Sequence, residues 1–191
     1  MPSYKYLKNE PEVEEMKTLL LVLLLSACTD LDSHSVVHLR IDTGSFSGVF
    51  VAPGLIATVA HVAENQDGPI YVRYLDDNDD IQTISAAIVY INYNKDQMLL
   101  RVHIDGEPVE ICKGRIGDPM SLWAWRENGP ENTHGRIISY WKDIYYSKVD
   151  SEPGYSGGPV VVNGCVIGLH RGRTALKWSY ARNLDWLKGK I

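Results

Sequence analysis

A serine near the C-terminal end of the chain lies in the glycine-rich run Gly-Tyr-Ser-Gly-Gly-Pro at positions 154–159. A serine hydroxyl is an effective nucleophile only when a base accepts its proton and backbone N–H groups stabilise the charge that develops on the attacked oxygen. The glycines permit a sharp turn that would present the Ser156 hydroxyl and direct the N–H groups of Gly154 and Ser156 towards one point. Taken alone, the run is equally compatible with an ordinary glycine-rich turn.

Two other residues have the chemistry to assist this serine. His61 follows the apolar stretch at 55–60, and Asp96 immediately precedes the apolar stretch at 97–102. An imidazole can accept the serine proton, and a carboxylate can orient the imidazole. Considered separately, His61 also fits a histidine packed in the core, and Asp96 fits a turn residue or a strand cap.

The order His, Asp, Ser along the chain, with the serine in its glycine-rich run, resembles the chymotrypsin-like serine peptidases. The motif Thr-Val-Ala-His at 58–61 is similar to that family's Thr-Ala-Ala-His. The segment Ser-Phe-Ser-Gly-Val-Phe-Val at 45–51 is similar to the Gly-Ser-Gly-Phe strand that precedes the histidine in bacterial members. The resemblance extends from about residue 35 to residue 181 and thus covers most of the chain.

This resemblance implies a role for each residue. Ser156 is expected to be the nucleophile, His61 the general base and then acid, and Asp96 the group that orients the imidazole. The N–H groups of Gly154 and Ser156 are expected to form the oxyanion hole. The reaction needs no cofactor, and the other histidines show no spacing typical of a zinc site.

The chain departs from the digestive members of this family at the residue before the nucleophile. Tyr155 stands where those enzymes have an Asp that pairs with a newly freed N-terminal ammonium. No sequence similar to their Ile-Val-Gly-Gly activation segment occurs either. The resemblance therefore implies a peptidase that is active once folded, as many bacterial and viral relatives are.

Two features give conflicting indications of the residue preferred at P1, the acyl side of the scissile bond. Asp150, followed by Ser151, lies six residues before the nucleophile, where trypsin has the Asp that attracts Lys or Arg. The segment with Leu169, His170 and Arg171 instead resembles the Gly-Ile-His stretch of glutamyl endopeptidases and picornavirus-type main proteases, whose His contacts a Glu or Gln side chain. All five are candidate substrate-binding residues. The sequence leaves Lys or Arg and Glu or Gln open as alternatives.

Short apolar runs separated by turn residues indicate the elements that must position these groups. The strands expected in the first half are 35–41, 46–52, 55–59, 70–75, 81–91 and 97–102. Those expected in the second half are 109–112, 120–125, 135–141, 144–149, 159–162, 165–170 and 176–181.

These runs, six in the first half and seven in the second, predict an all-β fold of two antiparallel barrels with about six strands each. The resemblance to the chymotrypsin-like peptidases implies the same fold, a double barrel of six strands each. The first barrel is expected at 35–104, with the histidine and the aspartate, and the second at 105–191, with the serine. A short helix at the C-terminus is expected after Asn183, because the apolar residues within 184–187 give it a buried side.

The N-terminal segment is typical of an export signal. An uninterrupted apolar run at 19–25 is too short to span a bilayer but has the length of a secretory signal core. The Leu-Ser-Ala-Cys that follows resembles the bacterial lipoprotein signal, in which the chain is cut before an acylated Cys. We therefore expect a signal peptide at 1–27, with Met16 as an alternative start of translation, a lipid on Cys28 and a tether at 28–34. The alternative is a short buried segment with a chance cysteine.

Composition limits the partners. With 45% hydrophobic residues the chain is not disordered by composition, and 19 Lys and Arg against 24 Asp and Glu give a net charge of −5. Because no basic block stands out, nucleic acid is not expected as a partner. Cys112 and Cys165 could pair in an oxidising compartment, but we expect two free, buried thiols.

Together these features predict a trypsin-like serine endopeptidase, exported and lipid-anchored in the bacterial envelope, on the outer membrane or the periplasmic face. It is expected to act as a monomer on protein or peptide substrates, without cofactor or metal. The alternative from another class is a catalytically silent lipoprotein of the same fold that binds a protein partner.

Overall fold

The computed structural model of the chain describes residues 31–42, 44–64 and 68–191. The predicted signal peptide, Cys28 and the start of the predicted tether therefore lie outside the described residues. Within the described residues the helical segments are 3₁₀ turns at Ser33–Ser35, His61–Ala63, Tyr93–Lys95 and Asp185–Leu187. No helix in this part of the chain is long and apolar enough to cross a bilayer.

Antiparallel strands form the body of the structure. The first six are β1 (Val36–Ile41), β2 (Gly44–Ala52), β3 (Leu55–Thr58), β4 (Ile70–Leu75), β5 (Ile81–Asn92) and β6 (Gln97–Arg101). The next six are β7 (Pro119–Arg126), β8 (Gly129–Trp141), β9 (Ile144–Lys148), β10 (Pro159–Val162), β11 (Cys165–Arg173) and β12 (Ser179–Asn183).

The strands close into two barrels. The first has the order β1-β2-β3-β6-β5-β4, and the second has the order β10-β11-β12-β9-β8-β7. Closure leaves every strand with a neighbour on each side, so no long edge is exposed. The predicted all-β double barrel is confirmed.

Each barrel buries its own apolar residues. Leu39, Phe50 and Ile56 are inaccessible to solvent in the first barrel, and Leu122 and Ile167 are inaccessible in the second. Burying each such side chain contributes about 1.5–3 kcal/mol. The two cores hold the strand ends, from which the candidate site is built, in fixed positions.

Two expected elements differ in the structure. The segment 109–112 is not a strand of either barrel, because it connects them: Val109 N–H donates to the Phe50 carbonyl, and Ile111 forms one parallel bridge with Val166. The final helix is only the three-residue 3₁₀ turn Asp185–Leu187, and Asn183 is the last residue of β12 rather than a helix cap.

The prediction of two free, buried thiols is wrong, because Cys112 and Cys165 form a disulfide bond. Both residues are partly exposed. The bridge between Ile111 and Val166 brings the Cα atoms of the two cysteines to 5.9 Å, within the range that a disulfide requires. The bond joins residues 53 positions apart, and a loop of that length corresponds to about 4 kcal/mol of stabilisation in the chain-entropy model.

Candidate active site

The pairing of β3 with β6 brings His61 and Asp96 together. Thr58 at the end of β3 faces Met98 near the start of β6, and the strands are antiparallel. His61, three residues after Thr58, therefore lies beside Asp96, two residues before Met98. The Nδ1 atom of His61 is 3.0 Å from both carboxylate oxygens of Asp96.

Asp96 adopts an unusual backbone conformation that directs its side chain towards the histidine. Its φ of 53° and ψ of 58° lie in the left-handed region, which Asp tolerates better than most residues. The residue ends the 3₁₀ turn Tyr93–Lys95, whose start is capped by the Asn92 side chain. Asp96 also accepts a 2.8 Å hydrogen bond from the backbone N–H of His61, so one carboxylate holds both the ring and the main chain of the histidine.

Ser156 comes from the second barrel, in the loop before β10. Its Oγ is 3.3 Å from His61 Nε2, which is within reach for proton transfer. The carbonyl of Ser156 accepts a 2.8 Å hydrogen bond from the backbone N–H of Ser47 in β2 of the first barrel. The three predicted triad residues therefore lie in one hydrogen-bonded row at the junction of the barrels.

The loop before Ser156 has the conformation that its glycines permit. Gly154 has a φ of 99° and Gly157 a φ of 83°, values that L side chains rarely adopt. A Cβ on Gly157 would lie 2.1 Å from the Ser47 carbonyl, so the close approach of the two barrels requires glycine there. The Gly154 and Ser156 positions are thus set by a turn that few other sequences could form.

Ser47 contributes to the site in a way that the sequence motifs did not reveal. Its hydroxyl donates to the Gly154 carbonyl at 3.0 Å and accepts from the backbone N–H of Trp125 at 2.9 Å. The residue is fully buried, and Thr58 donates a 2.8 Å hydrogen bond to its carbonyl. The similarity of the segment 45–51 to a strand of the bacterial peptidases pointed to this segment. It did not indicate why a serine stands at position 47.

Arg171, predicted to contact substrate, also contacts the candidate triad. Its Nε donates to Asp96 Oδ2 at 2.5 Å, and its guanidinium lies 6.0 Å from the ring centroid of Tyr180. Burial alone would raise the pKa of Asp96, but hydrogen bonds from His61 and Arg171 outweigh burial and hold that pKa well below its ordinary value. Asp96 is therefore charged at neutral pH.

His170 lies on β11 directly beside the serine loop. Its backbone N–H donates to the Gly158 carbonyl, and its carbonyl accepts from the Gly157 N–H, both at 2.8 Å. The residue is 3% exposed. Burial, with smaller contributions from the charges of Arg173 and His61, lowers the pKa of His170 to about 3, so the ring is neutral at pH 7.

The other predicted substrate-binding residues are not all directed towards a pocket. The Asp150 side chain is 96% exposed, with its carboxylate 3.8 Å from Arg173. Ser151 is buried, and its hydroxyl lies 3.1 Å from that of Ser179. Leu169 packs into the hydrophobic core. Arg173 donates to the Ser151 carbonyl and lies close enough to influence His170.

One cavity adjoins two residues of the candidate triad, and another reaches the loop before Ser156. One of about 350 Å³ is lined by His61, Glu64, Tyr93, Asp96, Arg171 and Tyr180. The other, of about 850 Å³, reaches Gly154 and Ser45 and is lined by residues of both barrels. Among the described residues, no group of three or more His, Cys, Asp or Glu side chains is placed to hold a metal ion.

The model of a family described as trypsin-like peptidase domain matches residues 46–169. This range includes all three predicted triad residues and the loop that contains Gly154. No curated protein sequence matches the chain.

Several solved protease structures have the same fold. The active form of the Rv3671c protease from M. tuberculosis aligns with a TM-score of 0.74 at 18% identity, covering 99% of this chain and 91% of that chain. Deg5 aligns with a TM-score of 0.73 at 19% identity, covering 95% of each chain. The MamO protease domain from Magnetospirillum magneticum aligns with a TM-score of 0.71 at 16% identity, covering 83% of this chain and 96% of that chain. Likeness at these identities shows the fold.

The buried neutral His170 predicts that the protein loses stability in acid. Its pKa is about 3 in the folded state against 6.5 for an ordinary histidine, so the unfolded chain binds the proton first as the pH falls. We expect the free energy of unfolding to decrease by about 2 kcal/mol more in the wild type than in His170→Gln between pH 6.5 and 4.5. Urea unfolding at both pH values measures this difference, and parallel pH curves for the two proteins would contradict it.

Proposed function

Because the chain belongs to the trypsin-like peptidase domain family, we propose that it is a serine endopeptidase with Ser156 as its nucleophile. The observation that carries the proposal is the continuous row from Asp96 through His61 to Ser156, with separations of 3.0 and 3.3 Å. A surface serine without function would not need a base on one side and a glycine turn on the other.

The reaction follows from the groups in this row. His61 Nε2 accepts the Ser156 hydroxyl proton while Oγ forms a bond to the carbonyl carbon of the scissile peptide. The resulting oxyanion receives hydrogen bonds from the N–H groups of Gly154 and Ser156. His61 then gives its proton to the leaving amine nitrogen as the C–N bond breaks. Water, activated by the same histidine, hydrolyses the acyl-serine and restores the enzyme.

Asp96 supports this proton transfer through the hydrogen bonds already described. A carboxylate at Nδ1 keeps Nε2 free to accept the serine proton and stabilises the imidazolium that forms. Arg171 shares the same carboxylate, which lets an acidic group remain charged although it is 5% exposed. The charge on Asp96 is thus maintained before substrate arrives.

The function is tested by labelling folded protein with a fluorophosphonate, which reacts with an activated serine. We expect labelling of the wild type, none of Ser156→Ala, and a fall in kcat of about 10⁴-fold or more in Ser156→Ala. Ser139→Ala, a half-buried serine of β8 outside the site, is the matched control and should behave as wild type. An unlabelled wild type would favour the alternative function, a silent protein that binds a partner.

For P1 we propose Glu or Gln, with the neutral His170 ring as hydrogen-bond donor to the substrate oxygen. Two observations support this preference over Lys or Arg. The Asp150 carboxylate is 96% exposed beside Arg173 and so does not form the base of a pocket, and the Arg173 charge favours an acidic ligand.

A peptide library with every residue at P1 tests this preference. We expect Glu or Gln to dominate, and His170→Ala to lower kcat/KM for these peptides by about 10- to 100-fold, the value of a hydrogen bond to a charged group. Asp150→Ser is the control and should leave the preference unchanged. If the wild type instead cleaves after Lys or Arg, and Asp150→Ser abolishes that cleavage, then Asp150 and not His170 sets the preference at P1.

We also propose that the peptidase is exported and attached to a bacterial membrane through a lipid on Cys28. The support is the apolar run and the Leu-Ser-Ala-Cys that follows it. Mass spectrometry of the protein made in a bacterial host should show an acylated Cys28 as the first residue. Cys28→Ala should move the protein out of the membrane fraction, whereas an unmodified N-terminus at Met1 would contradict the proposal.

A further inference from the structure

The loop that precedes Ser156 is held by a group of charged side chains outside the triad. Tyr155, next to the nucleophile, is 3% exposed, and its hydroxyl donates to Glu131 Oε1 at 2.8 Å. Glu131 lies in β8, opposite Ala124 of β7. The hairpin of β7 and β8 therefore reaches the residue beside the nucleophile.

Arg126, at the end of β7, joins the hairpin to the rest of this loop. Its Nε lies 3.3 Å from Glu131 Oε1, and its Nη2 lies 2.9 Å from Glu152 Oε2. Its Nη1 donates to the Pro153 carbonyl at 3.5 Å, and its guanidinium is 5.8 Å from the ring centroid of Tyr155. One planar side chain thus contacts three residues of the loop, Glu152, Pro153 and Tyr155, which a flexible point charge such as Lys could not do.

These contacts act on the peptide group that matters for the oxyanion hole. The Pro153 carbonyl and the Gly154 N–H belong to the same planar trans peptide, so they point in opposite directions. An interaction that holds the carbonyl towards Arg126 directs the N–H away from it. The following carbonyl, that of Gly154, is held by the Ser47 hydroxyl at 3.0 Å. The peptide before Gly154 and the peptide after it are therefore both constrained.

We propose that Arg126 and Glu131 are positioning residues for the oxyanion hole. Glu131 orients the guanidinium and accepts from Tyr155, and Arg126 fixes the Pro153–Gly154 peptide so that its N–H faces the attacked oxygen. This inference rests on the proposed peptidase function. It assigns to the β7–β8 hairpin the task of holding the loop before Ser156 in the conformation that forms the oxyanion hole.

Steady-state kinetics of isosteric variants test the inference. In Arg126→Met and Glu131→Gln we expect kcat to fall by about 10- to 100-fold with KM within about threefold, because an oxyanion hole stabilises the transition state more than bound substrate. Arg115→Met and Glu107→Gln alter exposed residues outside the site and should retain the wild-type kcat.

Tyr155→Phe removes only the hydroxyl that donates a hydrogen bond to Glu131. It tests the same inference if a charge variant does not fold. We expect a fall in kcat of about 10-fold. Tyr146→Phe, a half-buried tyrosine of β9, is the matched control.

A peptide aldehyde with the preferred P1 residue separates positioning from a general loss of stability. Its adduct with Ser156 carries an oxyanion, whereas the matching peptide alcohol forms no adduct. Affinity for the aldehyde should fall in parallel with kcat in Arg126→Met, Glu131→Gln and Tyr155→Phe, with affinity for the alcohol unchanged.

The inference is overturned if these variants melt at lower temperature but keep wild-type kcat and aldehyde affinity well below their melting points. It is also overturned if aldehyde and alcohol affinity fall equally. Failure of the wild type to react with a fluorophosphonate would instead reject the proposed function, so the two failures are distinguishable.

Discussion

The candidate site lies where two barrels meet, and the hydrogen bond from the Ser47 N–H to the Ser156 carbonyl is the contact on which its geometry depends. The histidine and the aspartate belong to the first barrel, and the serine belongs to the second. A shift of one barrel against the other by an ångström would separate the 3.3 Å pair of His61 and Ser156. The glycine at 157, where a Cβ would collide with the Ser47 carbonyl, permits this close contact. The distance between His61 and Ser156 therefore depends on backbone packing at the junction of the barrels.

The electrostatics of the site follow from the same crowding. Asp96 is 5% exposed and accepts hydrogen bonds from the ring of His61, from its backbone N–H and from Arg171. A buried carboxylate is stable only when such partners replace water, and here they also set its orientation. His170 is neutral instead of charged, because burial and the nearby positive charge of Arg173 lower the pKa of its ring. One charged acid and one neutral histidine thus lie close to the same serine.

Several features of the sequence predicted the structure correctly because they depend on local periodicity. Short apolar runs broken by turn residues indicated the strands of both barrels, and the boundaries of β1, β4 and β10 agree to within a residue. The errors fall where distant residues decide the outcome. Val109 to Cys112 has the composition of a strand but serves as a connection, and the pairing of its cysteine depends on the neighbouring β11. The prediction that Arg171 contacts substrate stays untested, and its contact with Asp96 was not predicted because β11 and Asp96 meet only in the folded chain.

By itself the sequence determined the fold class, the order His61, Asp96, Ser156 and the glycines that let the serine loop turn, because residue type and periodicity are local properties. Only the tertiary structure decided that Asp150 faces solvent, that Ser47 joins the barrels and that Arg126 and Glu131 hold the loop before the nucleophile. Each of these depends on which side chains meet across the barrel junction or at the hairpin tip. Such contacts join residues as far apart along the chain as Ser47 and Ser156, and no spacing along the chain specifies them.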